Sequence, residues 1–110
     1  MTSKSSTTTK AEKPGRVPSH PGRLLRVELA ARGISANRLA MDIAVPAGRI
    51  SEIVNGHRAI TPDTAYRLGL YLGTGPELWL SMQGKHDLAV LQRDRGKVIA
   101  AEVRRPPEAA

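Results

Sequence analysis

The sequence predicts an all-α chain: five short helices, a C-terminal helical extension and a disordered N-terminal tail. Three observations carry that expectation. Between residues 20 and 83 the apolar residues recur at helical spacing, as one stripe per segment. Each segment has its own start and stop chemistry in Gly33, Pro46, Gly56, Pro62 and Gly73. Phenylalanine is absent and only Tyr66, Tyr71 and Trp79 are aromatic, so the core must be small and aliphatic, which suits short helices.

Residues 1–19 are rich in Ser, Thr and Lys and hold Pro14, Gly15 and Pro18. Such a stretch buries too little apolar surface to offset the entropy of ordering, and disorder is expected. His20-Pro21-Gly22 opens the folded part, because Pro fits a first helical position where its missing N–H costs nothing. Leu24, Leu25, Leu29 and Ala30 form the first stripe, and Gly33 ends it. Ser35 is placed to cap a second helix running to about Ile43. Ala44 and Val45 make a turn, and Pro46 starts a third helix that closes near Val54 with Asn55-Gly56, a pair suited to left-handed backbone.

Thr61-Pro62-Asp63 combines a capping hydroxyl, a first-turn Pro and an acid at the positive end of the dipole. The helix it starts turns Ala65, Leu68 and Leu72 inward and stops at Gly73. Thr74 with Glu77 reads as a capping box for a fifth helix carrying Leu78, Trp79 and Met82, with Trp79 as a core anchor. A sixth helical segment is expected from His86 to about Arg95, interrupted at Gly96, and Pro106-Pro107 ends regular structure. The domain reading is a tail over 1–19, a folded domain over 20–83, and a C-terminal helix and tail over 84–110.

The stretch Ile34 to Gly56 is the most informative. Its second helix has an apolar seam at Leu39, Ala40 and Ile43, and its third has one at Ile50, Ile53 and Val54. Ala47, Gly48, Arg49, Ser51 and Glu52 remain outside that seam. Two short helices joined by a tight turn, the second bearing small and then polar residues on its free face, are what a helix-turn-helix needs to enter a DNA major groove.

Charge agrees with that reading. The chain carries a formal +7, which favours polyanionic partners. Residues 20–83 hold seven cations and five anions, every cation there being an arginine, while all five lysines lie in the flanks. Arginine suits bidentate contacts to guanine or phosphate, whereas lysine acts as a point charge. The flanking lysines either add loose attraction to nucleic acid or merely solubilise. No cysteine is present, so disulfide and thiolate chemistry are excluded. No apolar run approaches the roughly 20 residues that span a bilayer, and the N-terminus lacks a signal peptide's apolar core. A soluble, cytoplasmic protein is expected, without membrane contact. His20, His57 and His86 lie far apart in sequence with no second ligand at useful spacing, so no metal is expected. The carboxylates show no paired arrangement for acid–base work, and no phosphate loop occurs. Neither catalytic residues nor a cofactor are expected.

Taken together, HPGRLLRVEL, VPAGRISEIVNGHRAITPDTAYRL and LGTGPELWLSMQ resemble the HigA/VapI-type antitoxins of type II toxin–antitoxin systems, within the Xre/Cro helix-turn-helix superfamily. The resemblance covers about residues 20–92. It implies a five-helix, lambda-repressor-like domain with a C-terminal extension. It also implies a homodimer that binds a palindromic operator over its own promoter and neutralises a RelE/HigB-like ribonuclease toxin. Position 48 departs from the pattern, being Gly where related recognition helices commonly carry a larger polar residue.

Arg49 leads the expected DNA contacts, because it sits in the first turns of the recognition helix and Arg bidentate to guanine is the commonest specific contact. The competing assignment is an intrahelical pair with Glu52. Glu52 either accepts from a cytosine amino group or orients Arg49. Ala47 and Gly48 admit close approach, with Ala47 suited to a thymine methyl, unless they are small only for packing; Ser51 faces the same way. Ser35, Asn37 and Arg38 start the helix before the turn and suit phosphates, with a plain cap and a solvated face as the alternatives. Asn55, His57 and Arg58 follow the recognition helix, where the DNA backbone should pass. Leu88 and Leu91 are expected at a dimer interface, unless they close the monomer core.

Two other functions remain consistent with these residues. One is a stand-alone phage-type repressor without a toxin. The other is an adaptor that uses the same fold to bridge proteins.

Overall fold

A computed structural model describes residues 16–108. Five helices follow in order: α1 Pro21–Arg32, α2 Ala36–Ile43, α3 Ala47–Val54, α4 Pro62–Leu72 and α5 Glu77–Glu102. Among the described residues there is no strand. The expected disorder of residues 1–15 concerns residues outside those described. Residues 16–20 have no regular secondary structure, yet Pro18 is held: its carbonyl accepts from His86 Nδ1 at 2.7 Å.

The caps explain why the helices start and stop where they do. His20 precedes α1, and its Nδ1 accepts from the Gly22 amide at 2.9 Å. Pro21 opens α1 as expected. Ser35 Oγ accepts from Arg38 N at 3.0 Å, and Thr61 Oγ1 caps Thr64 N. Gly33 and Gly73 end α1 and α4 in left-handed backbone, at φ 66° and 77°. Ala44 ends α2 at φ 61°, the one positive φ at a non-glycine among the described residues. That conformation costs an L-residue roughly 1–2 kcal/mol.

Several expectations are corrected. The fifth and sixth helical segments form one helix, α5, which runs through Gly84 and Gly96 without a break. A mid-helix Gly costs only about 1 kcal/mol relative to Ala, less than ending and restarting a helix. Thr74 does not cap α5. Its hydroxyl accepts from Trp79 Nε1 at 2.8 Å and donates to the Gly75 carbonyl, which anchors the Trp79 side chain instead of the helix start. Pro46 is not in the third helix; its ψ of 141° places it as the residue before α3.

The described residues divide into two compact units, Pro18–His86 and one that contains residues 87–108. The core of the larger unit gathers Leu25 and Leu29 of α1, Leu39, Ala40 and Ile43 of α2, Ile50 and Ile53 of α3, Ile60, Ala65, Leu68 and Leu72 around α4, and Trp79. It is aliphatic except for Trp79, which is fully buried. Ala30, expected on the inner stripe of α1, is exposed. Two glycines set how closely the backbones approach. A Cβ on Gly22 would lie 1.8 Å from the Ile53 carbonyl oxygen, and one on Gly69 would lie 2.4 Å from the Gly75 carbonyl carbon. Gln83 is the buried polar residue of α5, and its Oε1 accepts from the Ile60 amide at 2.8 Å. No helix among the described residues is long and apolar enough to cross a membrane.

Candidate nucleic-acid interface

α3 is held from behind by α1 and α2. Its apolar residues Ile50 and Ile53 are fully buried. That seam fixes which residues point outward: Ala47, Gly48, Ser51 and Glu52 are exposed, and Arg49 is half-buried at their edge. A Cβ on Gly48 would meet nothing within 4 Å, so this glycine has no packing role. The face is therefore flat at the start of α3 and polar further along.

Glu52 does not pair with Arg49. It accepts from Arg58 Nε at 2.5 Å, so the helix is linked to the loop that follows it. Arg49 has no carboxylate within 4 Å among the described residues. Asp63 at the start of α4 feels its positive charge, but the Asp63 carboxyl is held below the usual range chiefly by Arg67, which donates to it at 2.7 Å.

On α2, Ser35 is the cap, Asn37 is exposed, and Arg38 donates to Asp42 Oδ2 at 3.1 Å. Tyr71 of α4 donates to the same oxygen at 2.7 Å. The Tyr71 hydroxyl first and Arg38 second hold the Asp42 carboxyl below the ordinary carboxylate range, and the same bond pushes the Tyr71 phenol up. His57 and Arg58 are exposed in the loop after α3. Asn55 is also exposed, and its Oδ1 accepts from Arg26 Nη2 at 2.9 Å. Its φ of −87° is ordinary, while Gly56 takes the left-handed turn at φ 77°. The structure thus places Ala47, Gly48, Arg49, Ser51, Glu52, Asn55, His57 and Arg58 on α3 and its following loop, with Ser35, Asn37 and Arg38 at the start of α2.

A helix-turn-helix family model matches residues 25–79. Virulence-associated protein I of Dichelobacter nodosus is 44% identical over 80 residues, which are 72% of this chain and 74% of that protein. The chain belongs to the HigA/VapI-type helix-turn-helix family. Two solved structures of HigA proteins agree. An addiction module antidote protein of the HigA family from Coxiella burnetii superposes with a TM-score of 0.76 at 42% identity, over 83% of this chain and all of that one. The Pseudomonas aeruginosa antitoxin HigA, solved with the higBA promoter, gives 0.75 at 38% identity over 79% and 96%. Both similarities extend beyond the helix-turn-helix itself.

In this HigA-type domain several side chains that shape the site gave no local sequence signal. Arg26, Asp42, Arg67 and Tyr71 act through partners 24 to 29 residues away, as in the Arg67 bond to the Ile43 carbonyl at 3.0 Å. Such pairs could have been found only by placing α1, α2 and α4 in space. His20 and His86, set aside as distant, meet edge to face with ring centroids 5.3 Å apart. Among the described residues no group of three or more His, Cys, Asp or Glu side chains could hold a metal. Leu88 and Leu91 are 54% and 45% exposed.

Proposed function

We propose that this chain is an antitoxin and transcriptional autorepressor. It binds a palindromic operator as a homodimer, with two copies of α3 in successive major grooves about 34 Å apart. It also neutralises a RelE/HigB-like ribonuclease toxin. The chain is itself no enzyme, takes no cofactor and acts in the cytoplasm.

The observation that carries the DNA reading is the outward face of α3, with Ala47 and Gly48 flush, Ser51 and Glu52 exposed, and Arg49 without a carboxylate partner among the described residues. Arg49 is the base-reading side chain, suited to guanine. Ser51 and Glu52 lie beside it, and Ala47 and Gly48 let the helix seat deeply. Ser35, Asn37 and Arg38 on one side and Asn55, His57 and Arg58 on the other hold phosphates. Leu88 and Leu91 contribute to the dimer. The toxin reading is supported by family membership and by relatives described as an antidote protein and an antitoxin.

Binding of the purified protein to a fragment of its own promoter, beside Arg49→Ala, tests the DNA reading. Tight, salt-dependent binding with a two-half-site footprint is expected, with a loss of about 1–3 kcal/mol in the variant. Equal, weak binding of promoter and random DNA would refute it. Co-expression with a RelE/HigB-like ribonuclease tests the toxin reading: cells making that toxin are expected to grow only when this chain is made as well.

A further inference from the structure

Four arginines of the larger unit are each neutralised by a carboxylate: Arg32 by Glu28, Arg38 by Asp42, Arg58 by Glu52 and Arg67 by Asp63. Arg26 on α1 is different. Its Nη2 donates to Asn55 Oδ1 at 2.9 Å and to the Val54 carbonyl at 3.4 Å, both neutral acceptors, and no carboxylate lies within 4 Å of it among the described residues. Its positive charge is therefore undiminished, and it is exposed.

The position has a specific electrostatic problem that Arg26 solves. The last carbonyls of a helix carry partial negative charge, which repels a phosphate. At the end of α3, Gly56 N takes the Ile53 carbonyl and Arg26 takes the Val54 carbonyl. α1 is brought there by Gly22, whose backbone is pressed against Ile53. The guanidinium also decides what Asn55 can do. It offers donors only, so the amide must turn its oxygen inward, and the two amide hydrogens on Nδ2 face away from Arg26. Asn55 Nδ2 donates to no other described residue.

We infer that Arg26 and Asn55 together form a backbone-phosphate clamp at the C-terminal end of α3, in which Arg26 supplies charge and fixes Asn55 as a donor. The ligand class is the phosphodiester of duplex DNA, and the inference rests on the DNA-binding reading above. A charged guanidinium beside an oriented amide holds a phosphate without reading any base. Arg26 is thus a binding residue in its own right as well as a positioning residue for Asn55.

The test compares the wild type with Arg26→Gln and Asn55→Asp on the promoter fragment and on random duplex DNA, across salt concentrations, with melting temperatures recorded. Arg26→Gln is expected to weaken binding several-fold by the same factor on both DNAs, and to reduce the salt slope by about 1. Asn55→Asp keeps an acceptor for Arg26, so its melting temperature should match or exceed the wild type. It cancels the arginine's charge and removes both donors, so its binding should fall on both DNAs alike. Unchanged affinity in these variants, with a wild type that binds, would overturn the clamp alone. A loss confined to the promoter fragment would also overturn it, by making Arg26 a support for base reading. A wild type that fails to bind its promoter would remove the DNA reading and the clamp with it.

Discussion

The two faces of α3 obey opposite rules. On the inner face Ile50 and Ile53 are fully buried, and the Ile53 carbonyl meets α1 so closely that only glycine fits at position 22. On the outer face Gly48 has open space around it, Ala47 and Ser51 are exposed, and the Glu52 carboxylate is tied to Arg58 of the following loop. Eight residues therefore carry both a structural seam and a surface that contributes little to the fold. A face with that little structural work is free to be chosen for what it touches outside the molecule.

Substitutions along one helix should separate the two rules. Ile53→Ala removes a buried side chain and is expected to cost about 2–5 kcal/mol of stability by denaturant unfolding. Ser51→Ala, two residues earlier on the free face, should stay within about 0.5 kcal/mol. A loss at Ser51 comparable to that at Ile53 would break the distinction.

The glycines sharpen it. Gly22→Ala forces backbone apart and should cost at least about 1–3 kcal/mol, the range for overpacking. Gly48→Ala adds a methyl to open space and removes glycine's conformational freedom, so it should raise stability by up to about 1 kcal/mol. Opposite signs for the same chemical change, read in thermal melts, are the expected result.

The smallest effect concerns the bracing of α2 by α4. Asp42 is held below the ordinary carboxylate range by Tyr71 and then Arg38. A depressed folded-state value gives stabilisation that is present above the unfolded value and lost as pH falls through the folded one. Thermal midpoints of the wild type should therefore drop more on the acid side than those of Asp42→Asn. Superimposable acid profiles would show that this bond contributes nothing to the fold.

The elements that sequence reasoning placed well are those fixed by local chemistry. Ser35 and Thr61 cap helices, Gly33 and Gly73 end them, and the seams of α2 and α3 bury the residues that helical spacing selects. Where a choice lay between competing partners, or between a break and a continuous helix, the sequence misled. Gly96 resembles a helix break, but it costs α5 less than an interruption would. Thr74 resembles a cap until Trp79 claims its hydroxyl. Glu52 resembled a partner for Arg49 at spacing three, and the loop instead brings Arg58 to it. The candidate DNA contacts were legible because they depend on which face α3 turns outward. The Arg26–Asn55 bond was not, because it joins residues 29 apart across a helix packing that only Gly22 permits.

The left-handed Ala44 in the turn before α3 gives this protein room to evolve. A single nucleotide change converts any alanine codon to a glycine codon, and glycine there would recover about 1 kcal/mol. The lineage thus holds a ready compensating step for a destabilising change elsewhere. New side chains could be tried on α3, and a different DNA sequence adopted, while the scaffold behind it stays above its folding threshold.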